Sequence, residues 1–233
     1  MEKNALRQCR WHGYATIAGL EQAAAHEILR QAQEAVHHRG VFRLVLAGGV
    51  TPRGIYGLLR QAQADWGAWH IYFGDERCLP SEHPERNSRM AAETWLNHVA
   101  IPRHQIHVIP AERGAEPAAA AYAQTLSAVG EFDLVLLGLG DDGHTAGLFP
   151  DHTWGEKSGA PVAMAVHNAP KPPPDRVSLS AARLSASRAV IFLVSGEAKR
   201  QAVADWRSGR RIPASVITPV AGVDIFLGSA LLS

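Results

Sequence analysis

The stretch Phe132-Asp-Leu-Val-Leu-Leu-Gly-Leu-Gly-Asp-Asp-Gly-His-Thr-Ala-Gly-Leu-Phe-Pro150 decides how the rest of the chain is read. An acidic residue and an apolar run come first, as in a strand buried in a parallel sheet. Glycines, two aspartates and a lone histidine, His144, follow. Glycines let the backbone turn tightly and approach a ligand closely. In an open α/β sheet, ligands bind outside the carboxyl ends of the strands. The expectation is therefore a cleft holding His144, with Asp141 and Asp142 as neighbours. A histidine placed there can take a proton near neutral pH, which points to an enzyme.

Gly138-Leu-Gly140-Asp-Asp-Gly143 also matches the dinucleotide fingerprint G-x-G-x-x-G letter for letter. That fingerprint belongs to the first strand–helix turn, where a helix amino end faces pyrophosphate. Here the match lies past mid-chain, and its two carboxylates would repel pyrophosphate. Gly147 and Pro150 follow too soon for the required helix. Nucleotide binding is set aside on these grounds.

Strands and helices alternate outward from this block. Leu20 to Arg39 reads as a helix, with Ala24, Ile28, Ala32 and Ala35 at three- and four-residue steps and Gly40 as its stop. Val41 to Leu46 reads as a strand. Pro52 to Gln63 reads as a helix, with Thr51 as N-cap and Pro52 as first helical residue. Strands are expected at Trp69 to Phe73, Ile106 to Ile109, Phe132 to Leu137, Val162 to Val166, Ala189 to Val194 and Val223 to Leu227. Helices are expected at Arg86 to His98, Pro117 to Val129 and Gly196 to Trp206. This alternation argues for βαβ units in a mainly parallel sheet, with residues 1–233 as one α/β domain. Ala169-Pro-Lys-Pro-Pro-Pro174 suits a stiff loop beside a site better than a linker.

Composition bounds the partners. The chain has 233 residues, and 46% of them are apolar, enough to bury a real core. The net charge of +1 gives no general nucleic-acid or membrane surface. Cys9 and Cys78 are too few for a disulfide framework and read as reduced thiols. The N-terminal residues lack the apolar core of a signal peptide, and no apolar run approaches the ~18 residues of a membrane span. A soluble cytoplasmic protein is expected.

Several motifs offer chemistry. Ala47-Gly-Gly-Val-Thr-Pro52 joins a strand to a helix, and exposed N–H groups there make an anion site, with Thr51 adding a hydroxyl. The alternative is a tight turn without a ligand. The turn is no P-loop, because the Gly-Lys-Ser/Thr ending is missing. Asp75-Glu76-Arg77 follows a strand, and Asp75 and Arg77 share a direction if strand geometry continues. Arg176 and Lys199 become phosphate clamps if they meet the Gly48-Gly49 turn, and are surface charges otherwise. There is no G-x-S-x-G, no H-E-x-x-H and no C-x-x-C, so neither a covalent serine mechanism nor a metal has support.

In this order the pieces resemble the 6-phosphogluconolactonase family. That family has a Gly-Gly-x-Thr-Pro turn, a strand ending Asp-Glu-Arg, and a Gly-x-Gly-x-Asp-Gly-His-Thr-Ala-x-Leu-Phe-Pro block. It then has a Pro-rich loop with Arg and a Gly-x-x-Lys helix start. The matching residues are Gly48–Pro52, Asp75–Arg77, Gly138–Pro150, Lys171–Arg176 and Gly196–Lys199, with Asn87 fitting an asparagine after the Asp-Glu-Arg segment. Ala47, Val50, Gly147 and Ser88 depart from the residues usual at their positions.

The resemblance implies a Rossmann-like, mainly parallel sheet flanked by helices, as in the glucosamine-6-phosphate deaminase and ribose-5-phosphate isomerase group. It implies hydrolysis of 6-phospho-D-glucono-1,5-lactone without cofactor or metal. His144 would be the general base, with Asp142 or Asp75 orienting imidazole or water and Arg77 facing the oxyanion or the carboxylate product. Gly48, Gly49, Val50, Thr51, Gly140, Gly143, Arg176 and Lys199 would bind substrate and its phosphate. The expected partner is the sugar-phosphate lactone alone, with no nucleic acid or membrane, bound by a monomer or small homo-oligomer. Deaminases of the same group carry a glutamate five residues after the histidine, where this chain has Phe149. Sugar-phosphate sensors of transcription regulators carry a helix-turn-helix ahead of the domain, for which the early glycine turn leaves no room.

Overall fold

The computed structural model describes residues 9–232, so the expectation about the N-terminal residues lies outside the described residues. The chain runs β1 Cys9–Tyr14, α1 Ile17–Arg39, β2 Phe42–Leu46, α2 Val50–Leu59, β3 Trp69–Phe73, β4 Asp75–Arg77 and α3 Asn87–Thr94. It continues with α4 Ala115–Thr125, β5 Phe132–Gly138, β6 Ala163–Val166, β7 Arg176–Leu179, α5 Ala181–Ser185, β8 Ser187–Val194, α6 Arg200–Arg207 and β9 Val223–Gly228. Six strands form a parallel sheet in the order β1-β9-β8-β5-β2-β3. A second, antiparallel sheet has the order β4-β7-β6.

Burial follows from covering both faces of the parallel sheet. All but the last residue of β5 is buried, matching its unbroken apolar reading. The small residues of α1 (Ala24, Ala25, Ala32 and Ala35, with Leu20 and Ile28) are buried as one stripe. Thr16 caps this helix by accepting from Gly19 N at 3.0 Å, and Gly40 ends it at φ 71°. Asp133 is buried but partnered: Arg39 Nε and Arg43 N donate to its two oxygens at 3.0 and 2.8 Å. No helix among the described residues is long and apolar enough to cross a membrane.

Strand order places the cleft. From β2 the chain moves to β3 on one side, and from β5 to β8 and β9 on the other. The reversal lies between the neighbours β2 and β5, and such a switch point opens a crevice at the carboxyl edge. Gly74 carries the chain from one sheet to the other: its N–H donates to Leu46 O at 3.0 Å and its C=O accepts from Leu179 N at 2.8 Å.

Some boundaries differ from expectation. Helix α2 begins at Val50 with Gly49 as N-cap, so Thr51 is not the cap and Pro52 is not the first helical residue. Thr51 Oγ1 is engaged by Ser195 Oγ instead. The segment Ile106 to Ile109 is no strand: it makes a single bridge, Ile106 to Ile71, after a 3₁₀ turn at Arg103–Gln105. Helix α3 stops at Thr94, followed by a separate 3₁₀ turn. The Gly196 segment opens with 3₁₀ turn Glu197–Lys199 before α6. Strands β1 and β7 and helix α5 were not expected.

Candidate active site

Four adjacent strand ends, those of β8, β5, β2 and β3, surround a cleft of about 360 Å³. After β2, Gly48, Gly49, Val50 and Thr51 line one wall. No side chain caps α2, so the N–H groups of its first turn are left for a ligand, where the helix dipole favours an anion. Val50 is 86% exposed, so its contribution there is backbone. Beyond β8, Ser195 and Lys199 line the same cleft, and Ser195 Oγ lies 2.7 Å from Thr51 Oγ1. Ser195 escaped the sequence reading, although the strand-end reasoning applied to the other loops points at it equally.

After β5 the chain makes a tight turn. Gly140 N donates to His144 O at 2.7 Å, and Gly143 N to Gly140 O at 3.2 Å. The Asp142 carboxylate accepts the His144 backbone N–H at 3.0 Å and sits 2.5 Å from imidazole Nδ1. The network therefore assigns the proton to Nδ1 and leaves Nε2 with a lone pair. A Cβ on Gly140 would lie 1.9 Å from His144 Nδ1 and 2.5 Å from Asp142 Oδ1, so only glycine admits this pair. Phe149 packs against the imidazole with ring centroids 4.6 Å apart. Gly140 and His144 line the cleft, while Asp142 and Gly143 lie behind them.

The charges divide by environment. Burial lowers the His144 pKa below the usual histidine value, and Asp142 only partly offsets it. Burial works upward on Asp142, but the hydrogen bonds from His144 outweigh it and hold the carboxylate below its usual range. Together these directions favour a neutral imidazole beside an ionised carboxylate. Burial raises Asp75, opposed by the nearby Arg77 and Arg176.

Asp75 and Arg77 both line the cleft, as alternation along β4 requires, and Glu76 points away. Asp75 makes no hydrogen bond to His144; Asn87 Nδ2 donates to its Oδ1 at 3.2 Å, and Arg176 Nη1 lies 3.9 Å from Oδ2. Arg77 Nη1 donates to Glu85 O at 2.5 Å, and its buried Nε has no partner among the described residues. Arg176 lines the same cleft as Gly48, Gly49 and Lys199, and its guanidinium is largely buried against its own loop. Nε donates to Pro173 O at 3.3 Å, and Nη2 donates to Lys171 O and Pro172 O at 3.3 and 3.1 Å. The proline loop thus lies beside the cleft, and Lys171 ion-pairs with Asp141 at its edge.

Asp141, Asp142 and His144 bring potential ligand atoms within 4.8 Å of one another. Their donors are committed, however: Asp141 to Lys171, and His144 Nδ1 to Asp142.

The sequence profile of the glucosamine-6-phosphate isomerases/6-phosphogluconolactonase family matches residues 15–226. The chain belongs to this family. It is 37% identical over 221 residues to a 6-phosphogluconolactonase of Streptomyces coelicolor, covering 87% of this chain and 83% of that one. The crystal structure of a Thermotoga maritima 6-phosphogluconolactonase superposes with a TM-score of 0.87 at 26% identity, covering 94% and 99% of the two chains. A monomeric glucosamine-6-phosphate deaminase superposes with a TM-score of 0.83 at 20% identity over 96% and 98%, a likeness of fold alone. The family's description joins isomerases with lactonases, so the site residues must separate them.

Proposed function

We propose that this chain hydrolyses 6-phospho-D-glucono-1,5-lactone to 6-phospho-D-gluconate, the second step of the oxidative pentose phosphate pathway. The observation that carries this reading is the position of His144: its Nδ1 is held by Asp142, and it lies in the same cleft as the uncapped amino end of α2. The similar proteins named 6-phosphogluconolactonase support the choice of substrate. The buried Phe149 supports it against the deaminases, which place a glutamate at that position for ring opening.

In the proposed reaction the 6-phosphate sits on the N–H groups at Gly49, Val50 and Thr51, with Lys199 and Ser195 completing its contacts. This fixes the ring for attack. His144 Nε2 takes a proton from water as the water oxygen bonds to the lactone carbonyl carbon. Asp142 stabilises the imidazolium that forms. Arg77, whose Nε lacks a partner, faces the developing oxyanion. The tetrahedral intermediate collapses, the ring C–O bond breaks, and the imidazolium returns its proton to the leaving ring oxygen. Asp75 orients the attacking water, Arg176 lines the cleft beside it and adds positive charge toward the substrate, and Gly140 gives the imidazole its seat. Neither cofactor nor metal takes part. The enzyme is proposed to act in the cytoplasm through this single α/β domain, alone or as a small homo-oligomer.

The test is the decay of freshly made lactone with and without the protein. Decay well above the spontaneous rate, with glucosamine 6-phosphate left unchanged in parallel, is the expected result. Lactone decay at the spontaneous rate would reject the assignment.

A further inference from the structure

Glu76 stands between two cleft residues but points away from the cleft, fully buried. A buried carboxylate is costly unless each oxygen is satisfied. Here Oε1 accepts from the N–H of Arg77 at 2.9 Å and of Asn87 at 2.8 Å, and Oε2 from the N–H of Ser88 at 2.8 Å. Arg86 Nε lies 3.1 Å from Oε2, and its guanidinium is equally buried. Asn87 and Ser88 are the first two residues of α3, a helix with no side-chain cap of its own. The charge is thus placed where the helix dipole favours it. It also ties α3 to the strand that carries Asp75 and Arg77.

The consequence falls on Asn87. Its Nδ2 donates to Asp75 O at 3.1 Å and to Asp75 Oδ1 at 3.2 Å. Its Oδ1 lies 1.9 Å from where a Cβ on Gly48 would stand. Asn87 therefore fills the space between the Asp75 carboxylate and the glycine turn, and Gly48 is the residue that admits it.

We propose that Glu76 is a positioning residue, which fixes the first turn of α3 so that Asn87 holds the Asp75 carboxylate against the glycine turn. Its kinetic consequence rests on the lactonase reading, while its geometric consequence does not. Glu76 touches no substrate: its positioning role runs through Asn87, while its charge also acts on Asp75 directly.

The experiment compares the wild type with Glu76→Asp, Asn87→Ala and the double variant; Glu76→Gln is kept out of the titration, because the Glu76 charge itself raises the Asp75 midpoint and its loss would lower it. The first readout is an NMR titration of the Asp75 side-chain carboxyl. Arg77 and Glu76 face that group from its own strand, Arg176 from β7 and His144 from the turn after β5. Asn87 donates to the ionised form, so Asn87→Ala should raise the Asp75 midpoint. Glu76→Asp keeps the charge but, one methylene shorter, withdraws from the N–H groups of Asn87 and Ser88, and should raise it in the same direction. The double variant should move it no further than Asn87→Ala alone.

The second readout is lactone turnover, where each variant should lose kcat by about ten- to a hundred-fold with KM little changed. Glu76→Gln joins this second readout only, and it serves there if Glu76→Asp does not fold. An Asp75 midpoint that Glu76→Asp leaves in place, or additive effects in the double variant, would overturn the proposal; where only Glu76→Gln folds, an unchanged kcat would do the same. A wild type that leaves the lactone at its spontaneous rate rejects the lactonase reading alone, and the titration still decides the role of Glu76.

Discussion

His144 works as a base only while its imidazole is neutral, and burial favours that form. The sign fixes the pH profile. A lowered pKa means protonation sets in below the usual histidine value of about 6.5. The acid limb of kcat/KM should therefore fall below that pH, with activity holding through pH 7 and 8. A limb above it would contradict a buried neutral base. Asp142 raises the His144 pKa against the effect of burial, so Asp142→Asn should move the limb lower still. The same variant should lower kcat by about 10²–10⁴ with little change in KM, because the imidazole loses both its tautomer and its counter-charge. Much of this was legible in the sequence: His144, its two aspartates and the strand before them follow from one stretch. The division of labour was not. Asp75 and Asp142 stood as equal candidates to orient the imidazole, and only the fold of the turn separates them. Asp142 lies two residues from His144 and reaches Nδ1, whereas Asp75 is turned to Asn87 and Arg176.

At the scale of elements, two tyrosines fix the strand ends that carry the site. Tyr56 on α2 donates to Ala47 O at 2.8 Å and accepts from Ala47 N at 3.1 Å. Tyr122 on α4 does the same at Phe73, at 3.1 and 2.9 Å. Burial pushes both phenols above their usual pKa, so they stay protonated and able to donate. Tyr56→Phe leaves the Ala47 N–H and C=O without a partner in a buried place. It should cost about 1–3 kcal/mol of stability in urea unfolding. It should also raise KM, because the phosphate-binding turn loses its anchor; an unchanged KM would mean that the turn holds itself. Neither tyrosine announces this role in the sequence, where each reads as one more apolar position of a helix. The strands buried on both faces were legible because their apolar runs are unbroken. Strand β1 was not, since it is an edge strand with mixed exposure. Strand β7 was not, since its four residues begin with arginine and follow a proline loop.

At the scale of the molecule, the cleft is assembled from segments that span residues 46–199, joined by four neighbouring strands. A ligand that grips this cleft should therefore stabilise the fold as a whole. At about 100 times its Kd, 6-phosphogluconate should add about 2.7 kcal/mol and raise Tm by roughly 5–10 °C. Lys199→Ala should reduce that shift at the same ligand concentration, while Tm without ligand stays near the wild-type value. An equal shift in that variant would remove Lys199 from the binding site. The alternation of strands and helices was legible in the sequence, and so was the parallel sheet. The strand order was not, because periodicity shows which face of a strand is buried but not its neighbours. The most direct measurement is lactone turnover by His144→Ala beside the wild type, each folded and saturated with substrate. The account predicts a fall in kcat of about 10²–10⁴ with KM little changed. A variant that keeps the wild-type kcat would show that His144 is not the base.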